Sequence, residues 1–193
     1  MKYDLKKKEI LLGRKISELD RFVLEFTSLL DRYVIVSGYV SILTGRSRAT
    51  EDVDLLIPKM TLAEFSSTWK KIYLAGFECL NSSILEEAYN FLNDYAIRFS
   101  RKDKPIPNME FKIIKNDVDQ YSFDNKIKVK LKEGDIFISP LEMQIAYKLY
   151  LGSEKDIEDA KHLYVLFKDS INKEELVRLS NAFNIKDKLE FME

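Results

Sequence analysis

An α+β (α/β) fold, a mixed β-sheet with flanking helices and a C-terminal helical region, is what this 193-residue sequence predicts. Three observations carry that prediction. Short β-branched or alternating runs recur between residues 33 and 138. Helix caps of the Ser/Thr-x-x-Glu kind sit between those runs. After Ser139-Pro140 the apolar residues recur at helical spacing to the end of the chain.

Taken in order, residues 6–30 read as one long helix, because Ile10, Leu12, Ile16, Leu19, Phe22, Val23 and Phe26 recur at helical spacing. Residues 33–36 form a buried strand, broken by Ser37-Gly38, and a short helix runs through Leu43. Residues 53–57 form the next strand, stopped by Pro58. Thr61 and Glu64 cap a helix that carries Phe65, Trp69, Ile72 and Tyr73 toward the core and closes near Gly76. A short strand follows over 77–80. Ser83 and Glu86 then cap a second helix, to about Leu92. Further strands are expected over 95–99, 109–115, 126–132 and 135–138, the last two joined at Glu133-Gly134. In the tail, Ser139 reads as an N-cap with Pro140 at the first helical position; that helix ends at Gly152. Ser153 opens the next helix and Asn172 a third. The chain therefore divides into an N-terminal helix over 1–30, a core over 31–138 and a helical region over 139–193.

Composition narrows the function classes. Lys and Arg total 31 against 32 Asp and Glu, so the whole-chain charge makes no case for a nucleic-acid partner. The positive charge that exists is local. Residues 101–132 hold nine Lys or Arg against five Asp or Glu, and Lys126, Lys128, Lys130 and Lys132 line one strand face. That stripe suits an RNA backbone, or an edge strand protected against aggregation, and the second reading is favoured. A lone cysteine, Cys79, forms no internal disulfide and fits a reducing compartment. One His and one Cys argue against structural zinc. The start carries no apolar signal region and no run approaches a membrane span, so a cytoplasmic location is expected.

The chemistry concentrates in "IVSGYVSILTGRSRATEDVDLLIP", residues 35–58. A strand there ends in Ser37-Gly38, and a helix begins whose first N–H groups lack partners and suit a phosphate. Gly38 has no Cβ to hinder approach. Asp52 and Asp54, two apart on a strand, point to one side and suit one cation or a bridge between two. Glu110, in Met109-Glu110-Phe111, is positioned to add a third carboxylate from a neighbouring strand. Oxygen-only ligands favour a hard ion such as Mg2+. Together these suggest phosphoryl or nucleotidyl transfer. Arg46 and Arg48 suit phosphate or an acceptor nucleic acid, or are solvated or paired with Glu51, and Thr50 suits a bond to the backbone near Asp52.

Other mechanisms fit less well. In phosphatases with a nucleophilic Asp-x-Asp the buried run precedes the pair; here Leu55-Leu56-Ile57 follows it. Gly38 and Gly45 lack the spacing and the lysine of a P-loop. His162 stands in a helix without an elbow sequence and reads as packing or surface.

Ser37-Gly38-Tyr39, twelve residues, then Asp52-Val53-Asp54 resembles the nucleotidyltransferase superfamily related to DNA polymerase β. Arg48-Ala49-Thr50-Glu51-Asp52-Val53-Asp54 is similar to the R-x-T-x-D-x-D stretch of AbiEii-like and other small prokaryotic nucleotidyltransferases. Lys148-Leu149 followed by Lys155-Asp156-Ile157-Glu158-Asp159 resembles their K-L … K-D-x-x-D helical segment. The likeness spans roughly residues 30–168. It implies a nucleotidyltransferase-like sheet, an NTP substrate and bound Mg2+. It implies that the Ser37-Gly38 turn holds the triphosphate, that Asp52, Asp54 and Glu110 ligate metal, and that Glu110 serves the acceptor hydroxyl. Lys148 or Lys155 would steady phosphate, with Asp156 and Asp159 shaping the site. The acceptor would be a tRNA, a protein side chain or an antibiotic-like molecule. AbiEii-like relatives act as toxins in two-gene systems, which would add an antitoxin-like partner. Two positions depart from the pattern. Tyr39 replaces a small residue and either crowds the nucleotide or turns into the core, and Glu110 replaces the commoner Asp. Inactive nucleotide- or RNA-binding proteins of the same fold, and a regulatory partner protein, are the alternatives.

Overall fold

The computed structural model describes residues 1–190. One sheet runs through the molecule. Its strands are β1 (Lys2–Asp4), β2 (Glu9–Leu11), β3 (Val34–Ile35), β4 (Asp52–Ile57), β5 (Phe77–Cys79), β6 (Ile97–Arg101), β7 (Lys104–Ile113), β8 (Ile127–Leu131) and β9 (Gly134–Ile138), in spatial order β1-β2-β8-β9-β3-β4-β7-β6-β5. The helices are α1 (Glu18–Thr27), α2 (Gly38–Leu43), α3 (Leu62–Leu74), α4 (Leu85–Asp94), α5 (Asp117–Asp124), α6 (Leu141–Leu151), α7 (Glu154–Phe167), α8 (Lys173–Ala182) and α9 (Lys186–Glu190). The sheet is mixed: β4 lies antiparallel to β3 and parallel to β7, with Asp54 opposite Glu110. Among the described residues no helix is long and apolar enough to cross a membrane.

β4 shows why the site lies where it does. Val53, Leu55 and Ile57 fill one face of the strand and are buried, while Asp52 and Asp54 leave on the other. The buried face meets an aromatic cluster in which Phe26 of α1 lies 5.2 Å from Phe77, 5.7 Å from Phe99 and 6.3 Å from Phe111. Trp69 belongs to the same core, 5.7 Å from Phe99.

Several expectations are corrected. The single helix over 6–30 is replaced by β1, β2 and the ten-residue α1. Ile10 is buried not on a helix stripe but by parallel pairing with β8, opposite Val129. The helix starts only where Ser17 and Asp20 close a capping box. Residues 2–4 and 9–11 therefore belong to the sheet, and the helix is confined to residues 18–27. β8 lies between β2 and β9, so its lysines do not guard an edge. Instead Lys126 sits 4.0 Å over the Phe123 ring and Lys130 pairs with Glu9 at 3.0 Å. α4 is not capped by Ser83; the Ser82 hydroxyl accepts from the Ile84 N–H and donates to Glu87. Ser139 does not cap α6, because its hydroxyl donates to Ser122 at 3.1 Å. α5 was not foreseen. Its periodicity is weak, and the Asn116 cap on the Asp119 N–H is its one clear local signal.

Candidate active site

The strand-to-helix turn comes first. Ser37 takes φ +64° and ψ −138°, a backbone region costly for a residue with a side chain. From there its hydroxyl hydrogen-bonds Asp54. Tyr39 follows and resolves the two readings of that position. Its ring lies in the core and its hydroxyl donates to Asp20 Oδ1 at 2.8 Å, beside the Arg14 guanidinium.

Asp52 and Asp54 leave β4 on one side, and β7 presents Asn108, Glu110 and Lys112 on the same side in register. Asp54 and Glu110 face each other across the two parallel strands. Lys112 Nζ stands between them, 2.6 Å from Asp54 Oδ1 and 2.5 Å from Glu110 Oε2. Arg98 of β6 takes the other Glu110 oxygen at 2.6 Å. Burial pushes the Asp54 carboxyl upward, but hydrogen bonding with Glu110 and Ser37 and the adjacent Lys112 charge outweigh it, so its pKa lies below the ordinary value. Burial alone would lower the Lys112 ammonium; Asp54 and Glu110 hold it above its usual range instead. Thr50 donates to the Asp52 carbonyl at 2.8 Å, and its hydroxyl lies 3.3 Å from Asp52 Oδ1, which ties the loop to the start of β4.

As placed, no three His, Cys, Asp or Glu side chains among the described residues are gathered closely enough to hold a metal ion. The donors fit Mg2+ in kind. All three are carboxylates, and all lie on one face of two adjoining strands. Lys112 supplies, within the chain, the positive charge that Asp54 and Glu110 require.

A second cluster lies across α7. Asp159 is fully buried and takes Arg46, Arg48 at 2.8 Å and Lys148 at 2.7 Å. Arg46 also reaches Glu158 and donates to the Lys155 carbonyl at 3.0 Å. Lys148 lies 3.4 Å from Asp156, whose N–H the Ser153 side chain caps. The motif residues thus separate into two groups. Ser37, Asp54 and Glu110 come together with Asp52 beside them, while Arg46, Arg48, Lys148, Asp156 and Asp159 form an ion-pair latch between the 44–50 loop and the C-terminal helices. Lys155 is exposed, and its backbone alone joins the latch. Gly38 connects the groups. A Cβ there would stand 2.7 Å from Arg48 Nη2, so the bare glycine admits the guanidinium.

Sequence reasoning missed Lys112, Arg98 and Asn108. Lys112 was findable, because it lies two residues beyond Glu110 and so on the same strand face. Arg98 was not, since only the β6–β7 register sets it opposite Glu110. Asn108 lies opposite Asp52 with its Oδ1 buried and without a hydrogen-bond partner.

No family model matches this chain, and no curated protein matches it. Solved structures do. The solution structure of the antibiotic-resistance factor ANT(2'')-Ia aligns at 14% identity over 89% of this chain and 94% of its own, with a TM-score of 0.51. A crystal structure of an antigenic nucleotidyltransferase-like protein from Paracoccidioides brasiliensis aligns at 17% identity over 92% of this chain and 93% of its own, with a TM-score of 0.54. At such identities the likeness establishes the fold, a nucleotidyltransferase-like mixed sheet with flanking helices and a helical C-terminal region.

Proposed function

We propose that this protein is a Mg2+-dependent nucleotidyltransferase that moves a nucleoside monophosphate from an NTP to an acceptor hydroxyl. One observation carries the reading: Asp54 and Glu110 oppose each other on the face that also bears Asp52, beside the strained Ser37-Gly38 turn, in a fold of this kind. Asp52, Asp54 and Glu110 would hold Mg2+, which neutralises charge on the reacting phosphate when bound. Ser37 orients Asp54. Glu110 would take the proton of an incoming hydroxyl once Lys112 gives way. The Asp159 latch keeps the 44–50 loop, and with it the start of β4, against the C-terminal helices.

Calorimetric titration of the four NTPs, with Mg2+ and then with EDTA, tests the binding half of this reading. Wild type is expected to bind in a Mg2+-dependent manner. The Asp52→Asn/Asp54→Asn double variant is expected to fold and to lose that binding. Equal affinity in both proteins, with and without Mg2+, would sink the assignment.

A second reading has its own observation. Lys112 and Arg98 already satisfy Asp54 and Glu110 within the chain, as a non-catalytic nucleotide- or RNA-binding protein of this fold would require. Transfer of label from α-labelled NTP to an acceptor separates the two. Panels of tRNA, protein and antibiotic-like acceptors name the class. The narrower role, a toxin with an antitoxin-like partner, rests on the sequence resemblance and is read by growth arrest that an adjacent gene relieves.

A further inference from the structure

The Lys112 ammonium occupies the place between Asp54 and Glu110. It lies 2.6 Å from Asp54 Oδ1 and 2.5 Å from Glu110 Oε2. A magnesium ion on the same two oxygens would need about 2.1 Å to each. Ion and ammonium would then overlap, with like charges in contact. A metal ion can enter between these carboxylates only as Lys112 leaves.

The site is built for that departure. The Lys112 side chain is 37% exposed, against 17% for Asp54 and 12% for Glu110, so the cation is the part with room to move. The acids keep other partners when it goes. The Ser37 hydroxyl stays on Asp54, and Arg98 stays on Glu110 Oε1 at 2.6 Å, which leaves Oε2 open. Lys112 carries its charge on a flexible four-carbon stem, suited to a change of partner. Its next station is set by the same contacts. Ser37 and Lys112 both bond Asp54, so the ammonium stands two hydrogen bonds from the Ser37-Gly38 turn.

We propose that Lys112 is a transferable counter-ion. In the free protein it holds Asp54 and Glu110 together and keeps a bare metal ion out. When a nucleotide arrives with its metal, the ion takes the two carboxylates and the ammonium passes to the triphosphate at the Ser37 turn. A lysine serves phosphate as a point charge, so the transfer demands no fixed geometry. Metal and nucleotide therefore enter as one complex, and Lys112 binds substrate rather than merely neutralising acids. The inference rests on the nucleotidyltransferase reading, because it takes the triphosphate to lie at that turn.

Mn2+, which carboxylates also bind, is the probe. Wild type and Lys112→Met are titrated calorimetrically with Mn2+ alone, then with each of the four NTPs in saturating Mn2+. The variant should bind Mn2+ alone about tenfold more tightly and the preferred NTP about tenfold more weakly, the size of one charge-assisted hydrogen bond in each case. A lysine that only steadies the fold would not move the two affinities in opposite directions. Should Lys112→Met not fold, Lys112→Gln repeats the test without the charge, and wild type alone still decides: Mn2+ bound as tightly without nucleotide as with it overturns the transfer. Equal Mn2+ affinity in wild type and variant, or an NTP affinity that the variant keeps, overturns it as well while the triphosphate site stands. Wild type that binds none of the four NTPs removes both readings.

Discussion

Asp159 takes three cations at once in a fully buried position, so its loss leaves Arg48 without its carboxylate and Arg46 and Lys148 with only Glu158 and Asp156. Asp159→Asn is expected to cost about 3–5 kcal/mol, as does breaking other buried pairs from one side, read from urea unfolding. Burial raises the Asp159 carboxyl, but Lys148, Arg46 and Arg48 outweigh that and hold it below the ordinary 3.8. With the folded value depressed, the unfolded chain binds the proton more readily. The stabilisation is therefore complete above about pH 4 and is lost as the pH falls through the folded value. Wild type should lose stability more steeply than Asp159→Asn as the pH falls below about 4; parallel curves would discount the latch. Lys112 makes a different prediction. In Lys112→Met the Asp54 and Glu110 carboxylates face each other without the ammonium between them, and the free protein should be less stable. Mg2+ should then raise the melting temperature more in this variant than in wild type, with EDTA as the control. A Mg2+ effect no larger in the variant would argue that the ion and the ammonium do not share a place.

The elements that announced themselves did so through local chemistry. Thr61 and Glu64 close a complete capping box on α3, as Ser153 and Asn172 cap α7 and α8, and each signal lies within four residues of the sequence. Ile10, Leu11 and Leu12 misled, because a short apolar run looks alike on a helix stripe and in a buried strand. The choice between them fell to β8, a partner more than a hundred residues away. α1 itself is held by the aromatic cluster rather than by its length. Phe26→Ala should cost about 3–5 kcal/mol, measured by chemical denaturation. A cost near zero would mean that Phe77, Phe99 and Phe111 close over the gap.

At the scale of the molecule the sheet makes residues 1–30 inseparable from the centre. Deleting residues 1–12 strips β1 and β2 from β8 and leaves one side of β8 unpaired at a new edge. The truncated chain is expected to aggregate or unfold well below the wild-type melting temperature; a stable monomer would show that the two strands are dispensable. The acidic site depends on the same assembly. By itself the sequence determined the alternation that sends Asp52 and Asp54 to one face, the turn at Ser37-Gly38, and the caps of α3, α7 and α8, because each is written within a few neighbouring residues. The tertiary structure alone decided that Glu110 meets Asp54, that Arg98 and Lys112 meet Glu110, and that Arg46, Arg48 and Lys148 converge on Asp159 rather than on the acidic face. Those outcomes are set by strand register and by which charges are buried together, and the energies that choose among them arise only when distant segments leave water at once.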